Sequence, residues 1–243
     1  MSLLTAGNIA FHLEAHFRGS ADYGIRVGIA VIVALIMVIG GRIIPSFTRN
    51  WLARQRPGRL PAPFGRFDVI VIAVSAASLV LWVAAPSAAA SAALLLAAGV
   101  LNLVRLARWA GDRALRERLV LILHVGFAFV PIGFLLAACA ARDLVPESAA
   151  VHAWMAGAAG VMTLAVMTRA TLGHTGRVLT ASLATQTIYA AVIIAALARI
   201  CAALEPTLGL PLLHIAAFAW AGAFLGFAAI YGRALVAPSR VRG

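Results

Sequence analysis

Histidine is the side chain in this sequence best suited to holding a metal ion. His12 and His16 lie four residues apart, which places both on one face of a helix at a spacing that can clamp a metal. An exposed helix end at the membrane surface explains this pair equally well. His152 opens an apolar run in which Met155 and Met162 follow at helical spacing. Imidazole and thioether groups suit a soft metal or haem, whereas methionines that only fill gaps between helices are the simpler explanation.

Two further histidines lie towards the other end of the apolar runs. His124 is about six residues inside its run, so roughly 9 Å deep at 1.5 Å per residue. An imidazole in hydrocarbon is costly without a partner, which predicts either a functional role or a structural bond to a Ser or Thr on a neighbouring helix. His174 stands in the polar interruption "MTRATLGHTGR", 167–177, where a glycine-containing bend can direct backbone amides and the imidazole at an anionic or metallic target.

Four arginines are expected at the same depth as this interruption. Arg169 and Arg177 flank it, and "GGRIIPSFTRN", 40–50, presents Arg42 and Arg49. Guanidinium groups pair well with carboxylates such as haem propionates, and they also reach lipid phosphates, so both interpretations stay open. The sequence has no nucleotide-binding fingerprint, paired-carboxylate site or nucleophile elbow, and no catalytic residue is assigned.

The elements that must position these side chains are membrane helices. The 243 residues are 63% hydrophobic and 12% charged, which is incompatible with a soluble globule. Runs of about 20 apolar residues cross the hydrocarbon layer as helices, and no alternation typical of membrane β-strands is present. We therefore predict one all-α polytopic transmembrane bundle over residues 1–243, preceded by a short helix end in its first twenty residues. The seven predicted spans are Gly24–Gly40, Val69–Val83, Ala88–Val104, Leu119–Ala140, Ala149–Val166, Leu179–Ala203 and Leu210–Tyr231.

The net charge of +12 is explained by topology rather than by nucleic acid. Most arginines fall in alternate connections and after the last span, so the positive-inside rule predicts a cytoplasmic C-terminus. These residues are Arg42, Arg49, Arg54, Arg56, Arg59, Arg66, Arg105, Arg108, Arg113, Arg116, Arg118, Arg169, Arg177, Arg233, Arg240 and Arg242. Tryptophans at the predicted span ends are expected to anchor in the membrane interfaces, namely Trp51, Trp82, Trp109 and Trp154.

Several blocks resemble the NnrS family, in order and across nearly the whole chain. They are "FHLEAH", "GGRIIPSFTRNWL", "LHVGFAFVPIG", "VHAWMAGAAGVMTLAVMTRATLGHTGR" and the closing run. The resemblance implies a multi-pass protein of the bacterial inner membrane that contains haem and copper and is associated with denitrification and defence against nitric oxide. It implies metal ligands at His12, His124, His152 and His174, with cofactor partners at Arg42, Arg49, Arg169 and Arg177. Family members usually begin with further helices, including a Trp-His-x-His-Glu-Met segment, so the chain is expected to correspond to their C-terminal portion.

The leading hypothesis is thus a haem- and copper-binding protein of the nitrosative stress response. Its partners would be the lipid bilayer and nitric oxide or a related small nitrogen oxide, with a packing helix or a second copy as a further partner. The alternative is a transporter or permease that uses His124 and the inner arginines to handle a proton or small anion. A structural remnant without metal is the third hypothesis.

Overall fold

Seven long apolar helices dominate the fold, as the composition predicts. The computed structural model describes residues 2–55 and 57–236, and within these ranges it contains eight helices and no strand. The helices are α1 Ser2–Arg18, α2 Asp22–Leu52, α3 Arg66–Ala84, α4 Ala89–Ala107, α5 Arg118–Ala140, α6 Glu147–His174, α7 Leu183–Leu204 and α8 Gly209–Val236. All but α1 could span a membrane. Arg56, Arg240 and Arg242, which contribute to the predicted charge bias, lie outside the described residues.

Helix α5 forms the centre of the bundle. It packs against α2, α4 and α6, while α3 lies against α2 and α4, and α7 and α8 pack along each other. Two glycines of α6 bring neighbouring rings close to its backbone, because a Cβ on Gly157 would lie 2.4 Å from Phe129 and one on Gly160 would lie 2.5 Å from Trp220. These two glycines therefore allow close helix packing.

The short helix α1 is held at the beginning of α2. The Glu14 carboxylate accepts the backbone N–H of Gly24 at 3.0 Å and that of Tyr23 at 3.3 Å. These N–H groups have no partner within α2 because they belong to its first turn. The sequence prediction of a helical N-terminal segment is confirmed.

Three predicted boundaries were wrong. Helix α2 continues through Pro45 to Leu52, although the predicted span ended at Gly40. A proline removes one backbone hydrogen bond, and a packed membrane helix tolerates that loss. Helix α6 extends beyond Val166 to His174, so much of the polar interruption is helical. Helix α7 begins at Leu183, because the Ser182 hydroxyl caps it by accepting the Thr185 N–H at 3.2 Å.

The interfacial role expected for the tryptophans was also wrong for three of them. Trp82, Trp109 and Trp154 are at most 2% exposed. Trp82 and Trp154 meet edge to face with ring centroids 5.1 Å apart. The Trp154 indole donates to the Val130 carbonyl at 3.2 Å and lies where a side chain on Gly133 would be. A glycine on the facing helix thus makes room for the indole inside the bundle.

The two ends of the bundle differ in charge. We call the end where α2 and α4 finish and α3 and α5 begin the basic end, because most of the arginines lie there. At this end Arg105 is 1% exposed and pairs with Asp68, with 2.9 Å between Nε and Oδ1. It also donates from Nη1 to the Met37 carbonyl at 3.1 Å. One buried guanidinium therefore ties α2, α3 and α4 together.

Candidate functional site

A cleft at the other end of the bundle gathers an imidazole, a thioether and a guanidinium. It has a volume of about 440 Å³ and lies between α6, α7 and α8. His152 and Met155 come from α6, and Arg199 comes from α7. The remaining wall is small or apolar and consists of Ala156, Ala195, Leu213, Ala216, Ala217 and Trp220. We call this feature the His152 cleft.

The local sequence explains why this cleft forms. The eight residues Ala153–Gly160, immediately after His152, adopt a π-helix, a wider helix that occurs frequently at functional sites. This geometry presents His152, Met155 and Ala156 to one space. Alanines on α7 and α8 leave that space unfilled, because a methyl side chain reaches only a short distance from the backbone. Half-buried His152 and Arg199 provide its polar groups.

The donors in the His152 cleft fit the metals that the sequence suggests. A neutral imidazole and a thioether are both ligands of copper(I), and either one alone can also bind haem iron. The flat, small-residue wall beside Trp220 suits a planar group, and Arg199 offers a positive charge to an anionic substituent. Within residues 2–55 and 57–236, no group of three or more His, Cys, Asp and Glu side chains is arranged to hold a metal ion. The cleft therefore supplies two protein donors of different type, not a closed cage.

His124 lies elsewhere, buried at the basic end. Its Nε2 is 2.9 Å from the Thr48 hydroxyl, which also donates to the Ile44 carbonyl at 2.8 Å. Since that hydroxyl has a single proton, it accepts from an Nε2–H, and Nδ1 carries the free lone pair. Nδ1 faces the backbone of Gly111, where a Cβ would lie 2.6 Å away. The structural partner considered from the sequence is thus present, and a ligand role for His124 stays a prediction.

The other predicted ligands lie at the surface of the chain. His12 is exposed on α1, and His174 is exposed at the end of α6. Arg177 follows in the exposed turn after His174. Arg169 is half-buried, with its guanidinium carbon 4.0 Å from the centre of the Phe47 ring. Metal or cofactor contacts by these residues stay predictions.

Arg42 and Arg49 are brought together. Both line a second cleft, of about 690 Å³, between α2 and the loop and helix that follow it. The Arg49 guanidinium also donates to the Pro61 carbonyl, which fixes the loop over this space. We call this feature the Arg42 cleft. Its lining contains no His, Cys or Met among the described residues, so its chemistry is that of an anion site without a metal donor.

Sequence reasoning missed three functional contacts. Arg199 was not among the predicted site residues, and nothing in its sequence neighbourhood indicated that it shares a cleft with His152. Asp68 caps α3 by accepting the Gly65 N–H at 3.1 Å, and no sequence pattern indicated that it also pairs with Arg105. Thr48 has no sequence signal that marks it as the partner of His124. Each contact joins residues far apart in the chain.

Comparison with known proteins adds one match. The sequence matches the family described as NnrS protein over residues 1–239. No curated protein and no solved structure gave a match. Because the match runs over almost the whole chain, this protein, with its seven apolar helices and its His152 cleft, belongs to the NnrS family.

Proposed function

We propose that this protein binds haem and copper in the bacterial inner membrane and acts in the response to nitric oxide that accompanies denitrification. The carrying observation is the His152 cleft, in which an imidazole, a thioether and a guanidinium surround one space of about 440 Å³. Membership of the NnrS family supports the identity of the metals, and the seven apolar helices support a multi-pass location.

The residues of the cleft have separate roles in this proposal. His152 offers a nitrogen lone pair and Met155 a sulfur lone pair, so together they favour a soft or low-valent metal. Arg199 balances negative charge on the bound group, such as a propionate. Trp220 and the alanines would contact the faces of a planar group bound there. A metal centre bound there would supply ligand binding and one-electron chemistry.

Nitric oxide suits a site of this kind. It is small and neutral, so it enters the hydrocarbon layer without a pore. A cleft with a largely apolar wall admits such a molecule without the cost of removing water from a charged substrate. On the basis of the family resemblance alone, we propose His12, His124 and His174 as further ligands, and Arg169 and Arg177 as further partners of anionic cofactor groups. The resemblance implies the same role for Arg42 and Arg49, but the lining of their cleft favours a different anion, which is argued below.

The test is to purify the full chain in mild detergent after loading with haem and copper. Haem is measured from the visible absorption spectrum and copper from elemental mass spectrometry. We expect a Soret band and bound copper in the original protein. His152→Ala should weaken retention of the group in the cleft by about ten-fold or more, since the imidazole is its only nitrogen donor.

His214→Ala is the matched control. His214 lies on α8 at the same end, is exposed, and its Nδ1 forms a hydrogen bond with the Leu210 carbonyl of its own helix at 2.9 Å. The His214→Ala variant should have the same haem and copper content as the original protein. Equal metal content in His152→Ala, His214→Ala and the original protein would contradict the proposed site. Absence of haem and copper from the original protein after loading would contradict the proposed function.

His12→Ala, His124→Ala and His174→Ala test the remaining ligands in the same assay. For His124, Thr48→Val is the necessary comparison, because it removes the same hydrogen bond and keeps the imidazole. Metal loss in His124→Ala but not in Thr48→Val would identify a ligand. Equal loss in both variants would identify a structural histidine.

A further inference from the structure

The Arg42 cleft is lined by one continuous stripe of α2. Val38, Arg42, Pro45 and Arg49 follow each other at helical spacing, and all four line the cleft. The stripe is apolar at Val38 and basic at Arg42 and Arg49. Ile72 of α3 adds a second apolar side chain to the lining, and Ser46 adds a hydroxyl. The cleft thus combines hydrocarbon and cationic groups within one space.

Its depth matches the boundary of the hydrocarbon layer. Arg42 is twenty residues after the start of α2 at Asp22, which is about 30 Å along a helix and equals the thickness of the hydrocarbon core. Arg49 lies two turns further on, about 10 Å along the axis, at the level of the headgroups. Val38 lies one turn on the hydrocarbon side of Arg42. From the hydrocarbon outwards, the cleft thus presents an apolar side chain and then two guanidinium groups. The acyl chain and the phosphate of a phospholipid follow each other in the same order.

The charges of the cleft are available to a ligand. Arg42 is exposed and has no ion-pair partner in the part of the chain that the structure describes. Among those residues no Asp or Glu lines the cleft. Two guanidinium groups without a facing carboxylate attract a phosphate, to which arginine offers paired N–H donors.

Hydrogen bonds within the protein hold the wall of the Arg42 cleft in place. The Arg49 guanidinium donates to the Pro61 carbonyl, and the Ala62 N–H donates to the Arg108 carbonyl at 2.9 Å. These bonds fix the loop that carries Phe64, a cleft residue that is 64% exposed, at the membrane boundary. An aromatic ring in that position suits contact with the upper part of an acyl chain.

We propose that the Arg42 cleft binds one anionic phospholipid, with the phosphate between Arg42 and Arg49 and an acyl chain along Val38 and Ile72. Charge complementarity selects an anionic headgroup, and the apolar part of the stripe selects a lipid over a free anion. The site is separate from the His152 cleft and shares no lining residue with it.

The test measures lipid binding to the delipidated full chain in detergent micelles by native mass spectrometry. The probes are phosphatidylglycerol, phosphatidylcholine with the same acyl chains, and inorganic phosphate. We expect tighter binding of phosphatidylglycerol than of the other two. Each basic residue near an anionic headgroup contributes roughly five-fold to affinity, so Arg42→Gln/Arg49→Gln should weaken phosphatidylglycerol binding about 25-fold.

Arg66→Gln/Arg116→Gln is the control, since both residues are exposed at the basic end and lie outside the cleft. It removes the same charge and should change affinity by less than about two-fold. Because Arg49 also holds the loop, Arg42→Gln alone is the second variant, with an expected loss of about five-fold. Ile72→Trp should block binding while keeping both arginines.

Three results would overturn the proposal. Equal affinity for phosphatidylcholine would show that the arginines do not select the headgroup, and equal affinity for inorganic phosphate would show a free-anion site. An equal loss in the control variant would show general surface attraction.

Haem and copper are measured in the same preparations. If Arg42→Gln lowers haem content and leaves lipid affinity unchanged, the cleft belongs to the cofactor instead, whereas intact lipid binding in a metal-free protein would contradict only the proposed function.

Discussion

Replacing Asp68 by Asn tests whether the buried ion pair at the basic end stabilises the bundle. The Asp68 side chain is 6% exposed and that of Arg105 is 1% exposed. Asn keeps the shape of the side chain and can still accept from the Gly65 N–H, so the helix cap is preserved. The substitution removes the negative charge. Arg105 then stays buried with the Met37 carbonyl as its remaining hydrogen-bond acceptor among the described residues.

The expected loss follows from this burial. Removing one partner of a buried pair costs about 3 kcal/mol or more, because the remaining charge stays away from water. An exposed pair is worth about 1 kcal/mol at most. At about 3 kcal/mol, the ratio of folded to unfolded protein falls roughly a hundred-fold. Asp68→Asn/Arg105→Met should lose less than the sum of the single variants, because no unpaired charge remains.

The assay is reversible unfolding in mixed detergent and dodecyl sulfate micelles, followed by tryptophan fluorescence. Trp109 is a suitable reporter, since the Arg105 guanidinium carbon lies 5.3 Å from its ring centre. Arg59→Gln is the control, because Arg59 pairs with Asp112 at the same end and both side chains are more than half exposed. If Asp68→Asn and Arg59→Gln lose the same small amount, the buried pair contributes no more than a surface pair and the reasoning is wrong.

Three further predictions use the same unfolding assay. Gly41→Ala should lose about 2 kcal/mol, because the new Cβ would lie 2.2 Å from the Arg105 Nη2, and the loss should shrink in an Arg105→Met background. Thr48→Val should lose about 1–2 kcal/mol by leaving the His124 ring N–H without its acceptor, whereas Thr48→Ser should stay close to the original protein. Arg26→Gln should lose at most about 1 kcal/mol, since its partner Glu147 is 39% exposed, and a loss as large as that of Asp68→Asn would contradict this ranking.

The number of membrane-crossing helices could be predicted from the sequence because apolar runs of the required length are easy to recognise. These runs gave seven spans, and the described residues contain seven helices of that kind. Helix ends were less certain, since an apolar run marks where a helix lies in the membrane and not where its hydrogen bonding stops. Helix α2 illustrates this, because its polar last turns from Pro45 to Leu52 continue the helix beyond the apolar run.

The partners of polar side chains could not be predicted in the same way. Arg105 and Arg108 stand three residues apart at the end of α4, and both fit an arginine that reaches towards lipid phosphate. One is buried against Asp68, while the other is half-buried with its guanidinium carbon 4.4 Å from the centre of the Phe67 ring. Both side chains contact α3, so their difference depends on how deeply each one lies in the bundle, which the sequence does not show. The sequence likewise does not show that His152 and Arg199 line the same cleft, because that depends on how their two helices pack.

The bonding partners of the arginines distinguish those that stabilise the bundle from those that line a cleft. At the basic end, Arg105 directs its hydrogen bonds to the protein itself, to Asp68 and the Met37 carbonyl. Arg42, Arg49 and Arg199 differ, because each lines a cleft and none has an ion-pair partner among the described residues. An arginine that is already paired holds helices together, whereas one that lacks a charged partner in an apolar wall is stabilised when an anion arrives. We therefore expect anionic ligands at the two clefts that these arginines line.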